Sequence, residues 1–261
     1  MNRYEGRRAL ITGAGSGIGQ ATVLRVLAEG GSVVAADISE KGLADTAQKA
    51  GADADRLTTL VLDVSDEESV KDVVAKAVST LGGLDVLVNA AGILRSAHTH
   101  EVSLADFTKI LSVNLVGTFL VIREAIPALR EGNGSAVVNF SSTSAGFAHP
   151  YMAAYAASKG GIQSMTHALA SEYAKSGIRF TAVQPGSISS GMTDGSGASK
   201  SSVGPGLPED ADMSLFAKLS PAIGEGFAGP ETVAGVVAML ASEDGKFITG
   251  TEIRIDGGTH F

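Results

Sequence analysis

The sequence predicts an α/β fold: a parallel, doubly wound sheet of about seven strands with helices on both faces. Three observations carry that prediction. Short apolar runs alternate with longer amphipathic stretches along the whole of the 261-residue chain. Most of the short runs are rich in Val, Ile or Leu at consecutive positions, the pattern of strands covered from both sides. The strand, helix, strand order recurs without an internal repeat or a dividing linker, so residues 1–261 read as one domain.

Taken in order, Ala9–Thr12 is the first strand and Gly17–Ala28 the helix after it. Ser32–Ala36 leads to a helix over Lys41–Ala50. Leu57–Leu62 leads to a helix over Glu67–Thr80. Its entry at Ser65-Asp66-Glu67-Glu68 offers a capping side chain and early acids to the free amides and dipole of a helix start. Val86–Asn89 leads to a long helix over Phe107–Leu129, and Ala136–Phe140 to one over Tyr155–Ser176, which Gly177 is suited to stop. Phe180–Gln184 is the sixth strand. Pro230–Ser242 is a helix with proline in its first turn, and Glu252–Ile255 is the last strand.

One segment breaks this rhythm. Residues 186–229 are rich in glycine and serine, and a connection of that length in a compact domain is functional or loosely ordered. It reads as a lid over a binding site, with a short helix over Asp212–Leu219; the alternative is a surface insertion.

The net charge of −8 and the pI of about 5.1 argue against nucleic-acid or anionic-membrane partners, which require a basic face. The absence of cysteine excludes disulfides, thiolate zinc sites and a cysteine nucleophile. The start of the chain makes a poor signal peptide, and no uninterrupted apolar run is long enough to span a bilayer, so a cytoplasmic protein is expected. Five histidines without an H-E-x-x-H pattern predict no metal site. Neither a G-x-S-x-G elbow nor a Walker A lysine is present, which disfavours hydrolase and P-loop chemistry.

The strongest local signal is Thr12-Gly13-Ala14-Gly15-Ser16-Gly17-Ile18-Gly19, set between the first strand and the first helix. Glycines there let the backbone approach a pyrophosphate, and the helix start offers it free amides and a positive dipole end. Asp37 ends the second strand, where an acid can accept both hydroxyls of the adenosine ribose and would repel a 2′-phosphate. Position 16 is a serine and Ile38 follows the acid, so no cation stands ready for that phosphate. These residues predict a Rossmann-type domain that prefers NAD(H) to NADP(H).

With these motifs the sequence resembles the short-chain dehydrogenase/reductase family, of the type with a T-G-x-x-x-G-x-G turn, from about residue 6 to residue 259. Further segments agree in order: Asp63-Val64, Asn89-Ala90-Ala91-Gly92, Asn114, Ser142, Tyr155-Ala156-Ala157-Ser158-Lys159, Pro185-Gly186-Ser187-Ile188, and Ile248-Thr249-Gly250 with Asp256-Gly257-Gly258. The resemblance implies adenine contacts at Asp63 and Val64. It implies cofactor contacts at Asn89, Ala90, Ala91, Gly92, Pro185, Gly186 and Ile188, and a contact of the Ser190 hydroxyl with the nicotinamide carboxamide. Family members often carry threonine at that last position, and serine keeps the hydroxyl.

Tyr155 and Lys159 are four residues apart and share one helix face. An unperturbed phenol is a poor base at neutral pH, and a nearby ammonium favours the phenolate. So tuned, Tyr155 exchanges a proton with a substrate alcohol or carbonyl. The resemblance also implies that Lys159 bonds the nicotinamide ribose, that Ser142 holds the substrate oxygen, and that Asn114 anchors a water relaying protons to Lys159. Ser141 competes with Ser142 for that place, and only the family register favours Ser142.

The resemblance implies a small alcohol or carbonyl substrate. Leu94, Phe147, His149, Tyr151, Met192, Met213 and Phe216 are expected around it, a mostly apolar set. The resemblance implies a homotetramer, and Thr259-His260-Phe261 is a candidate to reach a neighbouring subunit. Two other readings stand: a 3-oxoacyl thioester reductase of the same family acting on an acyl-carrier protein, and a non-catalytic NAD-binding regulator.

Overall fold

The computed structural model describes residues 2–194, 204–224 and 226–260. Seven strands form one sheet: β1 (Arg8–Thr12), β2 (Ser32–Asp37), β3 (Leu57–Val61), β4 (Val86–Asn89), β5 (Ala136–Phe140), β6 (Arg179–Pro185) and β7 (Thr251–Ile255). They pair in the order β3-β2-β1-β4-β5-β6-β7, every pairing parallel. This is the expected Rossmann-type α/β architecture. The chain winds outward from β1 in both directions, so a crevice opens where β1 and β4 end side by side. Register there aligns Thr12 with Asn89 and Asn89 with Asn139.

Alternation along the strands explains why both faces are apolar. Ala9 and Ile11 of β1 pack with Val33, Ala35, Val86 and Val88 on one face, where Val23, Val26 and Val237 cover them. Leu10 packs with Val34, Leu87 and Val137 on the other, under Val70, Val74, Val121 and Ala125. Each such fully buried Val, Leu or Ile contributes about 1.5–3 kcal/mol.

The helices are α1 (Gly17–Ala28), α2 (Glu40–Ala50), α3 (Glu67–Leu81), α4 (Leu104–Leu111), α5 (Gly117–Arg130), α6 (Ala153–Tyr173), the single turn α7 (Gly191–Asp194) and α8 (Pro230–Leu240). The Asp66 carboxylate caps α3 by accepting from the amides of Glu68 and Ser69. Gly177, at φ +74, stops the short 3-10 extension of α6. The long helix begins at Leu104 rather than Phe107, because the Ser103 hydroxyl caps it by accepting from the Asp106 amide. A π-type turn over Ser112–Val116 joins α4 to α5. By length and composition Leu104–Arg130 could cross a membrane, yet half of its most apolar stretch is buried within the fold, where Val121, Ile122 and Leu129 belong to the core.

Of the expected 186–229 segment, residues 195–203 and 225 lie outside the described residues. The remainder runs back along the protein: around Ile188 the Ser189 amide donates to the Ala228 carbonyl and the Ala228 amide to the Ser187 carbonyl, and a 3-10 helix covers Met213–Leu219 behind the Asp212 cap.

Candidate active site

The glycine turn is shaped by contacts no side chain would permit. A Cβ on Gly13, at φ +67, would lie 2.6 Å from the Ala90 carbonyl, and one on Gly19 would lie 2.0 Å from the Gly13 carbonyl oxygen. Gly17, at φ +51, faces the Ser190 side chain across the groove, where a Cβ would come within 3.1 Å of it. Ser16 precedes α1 in extended conformation, and its side chain makes no cap bond to the helix. The helix start therefore keeps its amides for another acceptor. Ile18 packs partly into the core and supports the turn from below.

Asp37 closes one end of this groove. Its carboxylate accepts from the Gly15 amide at 2.9 Å and from the Ser39 amide at 2.8 Å. Ile38 beside it is 59% exposed. Asp63 accepts from the amide and hydroxyl of Ser65, while Val64 is buried against Gly117. Sequence reasoning missed two supports here. A Cβ on Gly42 would strike the Gly15 carbonyl oxygen at 2.6 Å, so α2 packs directly on the turn. The Thr12 hydroxyl accepts from the Ala91 amide at 3.3 Å and holds the Asn89–Gly92 turn against β1. Asn89 donates to the Asn139 side chain at 2.9 Å, and Asn139 to Thr166 at 3.0 Å.

On the β6 side, Pro185 ends the strand and the Gly186 amide donates to the Ile255 carbonyl. Thr193, not foreseen, donates to the Ile188 carbonyl at 2.8 Å and accepts from the Ser190 amide at 3.0 Å. It fixes the turn that sets Ser190 opposite Gly17.

The four candidate catalytic side chains converge above β4 and β5. Asn114 is wholly buried in the π-type turn. It accepts from the Ile93 amide at 2.8 Å and donates to the Ile93 carbonyl and the Ser158 hydroxyl, each at 3.0 Å. A Cβ on Gly92 would lie 3.2 Å from the Asn114 amide oxygen and 3.6 Å from the Lys159 ammonium, so both groups meet at that glycine. Lys159 is buried on α6 and donates to the Phe140 carbonyl at 2.7 Å. Its ammonium stands 5.5 Å from the centre of the Tyr155 ring.

The electrostatics of the pair differ from the expectation. Burial pushes the Tyr155 phenol up to about 12, and a hydrogen bond with Ser142 pulls the other way. Burial lowers Lys159 to about 8. A phenol tuned downward by the ammonium is therefore not what the chain alone presents: loss of water around the phenol outweighs its neighbours. The competing serines separate clearly. Ser141 donates to the Lys159 carbonyl at 3.0 Å in the buried interior, whereas Ser142 is the one that engages Tyr155.

Around this centre Leu94 is buried, and the His149 ring lies 3.1 Å from the Thr143 hydroxyl, with burial holding it down at about 4. Phe147 stacks on His260 at 4.1 Å, so His260, offered to a neighbouring subunit by the sequence, packs on its own chain. The Tyr151 hydroxyl accepts from the Asp212 amide, and its ring stacks with Phe216. Met192 is half-buried, while Met213 is 61% exposed and does not enclose the site.

Comparison with known proteins identifies the family. The short chain dehydrogenase family model matches residues 7–201. The chain is 38% identical to the 3-oxoacyl-[acyl-carrier-protein] reductase FabG of Thermotoga maritima, over 98% of each chain. It is 37% identical to levodione reductase of Leifsonia aquatica (98% of this chain, 95% of that one) and 35% identical to cyclohexanol dehydrogenase of an Acinetobacter species (98% and 96%). Among solved structures, a short chain dehydrogenase from Mycobacterium paratuberculosis bound to NAD superposes with a TM-score of 0.87 at 30% identity over 98% of both chains. One from Burkholderia cenocepacia in complex with NADP gives 0.85 at 30%, over 99% of both. A 3-ketoacyl-(acyl-carrier-protein) reductase from Brucella melitensis complexed with NADH gives 0.84 at 30%, over 98% of this chain and 99% of that one. The chain belongs to the short-chain dehydrogenase family, oxidoreductases of alcohol and carbonyl groups that use a nicotinamide cofactor.

Proposed function

We propose that this protein is an NAD(H)-dependent dehydrogenase of secondary alcohols, or reductase of the matching ketones, acting through Ser142, Tyr155, Lys159 and Asn114. One observation carries the reading: the Ser142–Tyr155 contact and the meeting of Lys159 with Asn114 at Gly92 lie beside the groove of Gly13, Gly17 and Gly19. The cradle at those glycines, the uncommitted start of α1 and the Asp37 carboxylate fit a dinucleotide. Ser16, Asp37, Ile38, Asp63 and Val64 would hold its adenosine half, and Asn89–Gly92, Tyr155, Lys159 and Pro185–Ser190 its nicotinamide half. The nicotinamide, when bound, accepts or supplies the hydride.

The chain's own groups handle the proton. With the phenol pushed up to about 12, Tyr155 is protonated at neutral pH and suited to protonate a ketone oxygen as it gains charge. Ser142 donates to the same oxygen and steadies the charge there. In the reverse direction Tyr155 must first shed its proton. Lys159, positively charged below about 8, favours that state, and Asn114 holds the backbone turn at Ile93 against which Lys159 sits.

A ring-shaped substrate of the kind the cyclohexanol and levodione enzymes are named for suits the apolar and aromatic surroundings: Leu94, Phe216 and Tyr151. The similarity to FabG favours a second reading, reduction of a carrier-bound 3-oxoacyl group. Against it, the segment beside the site exposes Glu209, Asp210 and Asp212, which repel an acidic carrier. Assembly as a homotetramer is proposed through the outer side of the π-type turn and α5, where Val116 and Phe119 stay 45% exposed; a solution mass near 26.4 kDa opposes it.

The deciding experiment follows NADH absorbance with cyclohexanol, cyclohexanone and 3-oxoacyl thioesters, each with both nucleotides. Turnover of the cyclic pair with higher kcat/KM for NAD is expected. Tight nucleotide binding without turnover of any of them would overturn the reading and favour a regulator.

A further inference from the structure

Tyr151 is the one non-glycine residue at positive φ, +66°, among the described residues. An L-residue reaches that conformation only at a cost, and it persists only where surrounding contacts over-determine it. Tyr151 sits two residues before α6 begins and four before Tyr155.

Two separate segments meet on this residue. Its phenol oxygen accepts from the Asp212 amide at 2.8 Å. Its ring stacks with Phe216, 6.0 Å between centres and 21° between planes, and meets His98 edge-on at 5.2 Å. Its carbonyl accepts from the Ala97 amide at 2.9 Å. Two neighbouring contacts join the same segments: the Ser96 amide donates to the Pro205 carbonyl at 2.7 Å, and His98 pairs with Asp210 at 2.9 Å. The chain after Gly92 and the stretch 205–216 are thus bound to each other and to the entry of the helix that carries Tyr155 and Lys159.

We propose that Tyr151 is a positioning residue for the reaction: it clamps 205–216 and 96–98 onto the start of α6, and so completes the wall against which the body of the substrate packs. Opening the 205–216 stretch removes the amide, the aromatic face and the reason for the costly backbone at once. Closed clamp and strained Tyr151 therefore form one state, relaxed Tyr151 and open stretch another. Tyr151 touches no reacting atom in this account, so its effect falls on substrate affinity rather than on the proton or hydride step. The kinetic part of this inference rests on the alcohol–ketone reading above; the structural part does not.

The test is amide hydrogen exchange by mass spectrometry on the full-length protein with NADH bound, paired with steady-state kinetics on cyclohexanol and NAD. Tyr151→Phe deletes only the hydroxyl that Asp212 bonds, and exchange across 205–216 should rise about fivefold, the worth of one hydrogen bond. Exchange in α3 should stay as in the wild type. KM for cyclohexanol should rise by a similar factor while kcat and KM for NAD hold. Phe216→Ala, which spares the hydroxyl, should move the same readouts in the same direction. Unchanged exchange at 205–216 in both variants overturns the clamp, as does an increase shared equally by α3. Faster exchange with an unchanged KM for cyclohexanol overturns the positioning role. If cyclohexanol is not turned over at all, exchange still decides the clamp, and the failure belongs to the substrate reading.

Discussion

The Lys159 ammonium donates to the carbonyl oxygen of Phe140 across 2.7 Å, tying α6 to the end of β5 just before Ser142. Burial lowers this lysine from 10.5 to about 8. Between those values the unfolded chain binds more protons than the folded one, so this group makes stability rise with pH from about 8 to 10.5. Lys159→Met removes the titration. The melting temperature of the wild type should therefore gain on that of the variant as the buffer moves up through this window. A constant difference between the two melting curves would refute the buried-ammonium account.

Tyr155→Phe should cost about a hundredfold or more in kcat, the scale of acid–base catalysis, while NADH still binds. The fluorescence of bound NADH reports the second half of that statement. With the phenol pushed up to about 12, ketone reduction should hold through neutral pH and alcohol oxidation should climb as pH rises, since only the latter needs the proton removed beforehand. Opposite slopes would reverse the assignment of proton donor and acceptor.

The two adjacent serines should separate in experiment as they do in space. Ser142→Ala should lower kcat by about a hundredfold, with a stability cost of about 1 kcal/mol because its hydroxyl also accepts from the Ser144 amide. Ser141→Ala should cost about 1 kcal/mol of stability through its lost bond to the Lys159 carbonyl and leave kcat nearly intact. The crossed result would move the substrate contact to Ser141.

Asp37→Ala should lower kcat/KM for NAD by roughly tenfold or more, the worth of hydrogen bonds to a charged group, and narrow the gap to NADP. Because Asp37 also accepts from the Gly15 and Ser39 amides, a modest loss of thermal stability should accompany the change. Equal kcat/KM for the two nucleotides in the wild type would remove the basis for this residue's assigned preference.

The strands were legible to within a residue or two because parallel strands buried on both faces are continuous apolar runs; β4 and β5 have the limits that Val86–Asn89 and Ala136–Phe140 predict. The glycine turn, Asp37 and the Tyr155–Lys159 pair were legible because their spacing is local. What escaped depends on distant partners. Tyr151 owes its backbone to Asp212 and Phe216, some sixty positions further on. The rise at Tyr155 comes from the burial of its phenol, which no local pattern encodes. Ser103 at the head of α4 carries a cap signature, an acid three positions later, but the apolar rhythm that marks the helix starts only at Phe107.

The wide turn at Ser112–Val116 has a consequence for how this enzyme can change. Each residue of a regular helix advances the screw by about 100°. A turn with one residue to spare therefore absorbs that residue at the buried Asn114 and keeps the half upstream in phase with the half that lays Leu120, Val121 and Ala125 on the core. Removing one residue there would let the helix wind regularly with its downstream half still on the core, and would unseat Asn114 from the Ile93 backbone and the Ser158 hydroxyl. The spare residue is thus what the fold uses to bring an amide side chain inward at that one level of the helix, while the winding on either side stays regular.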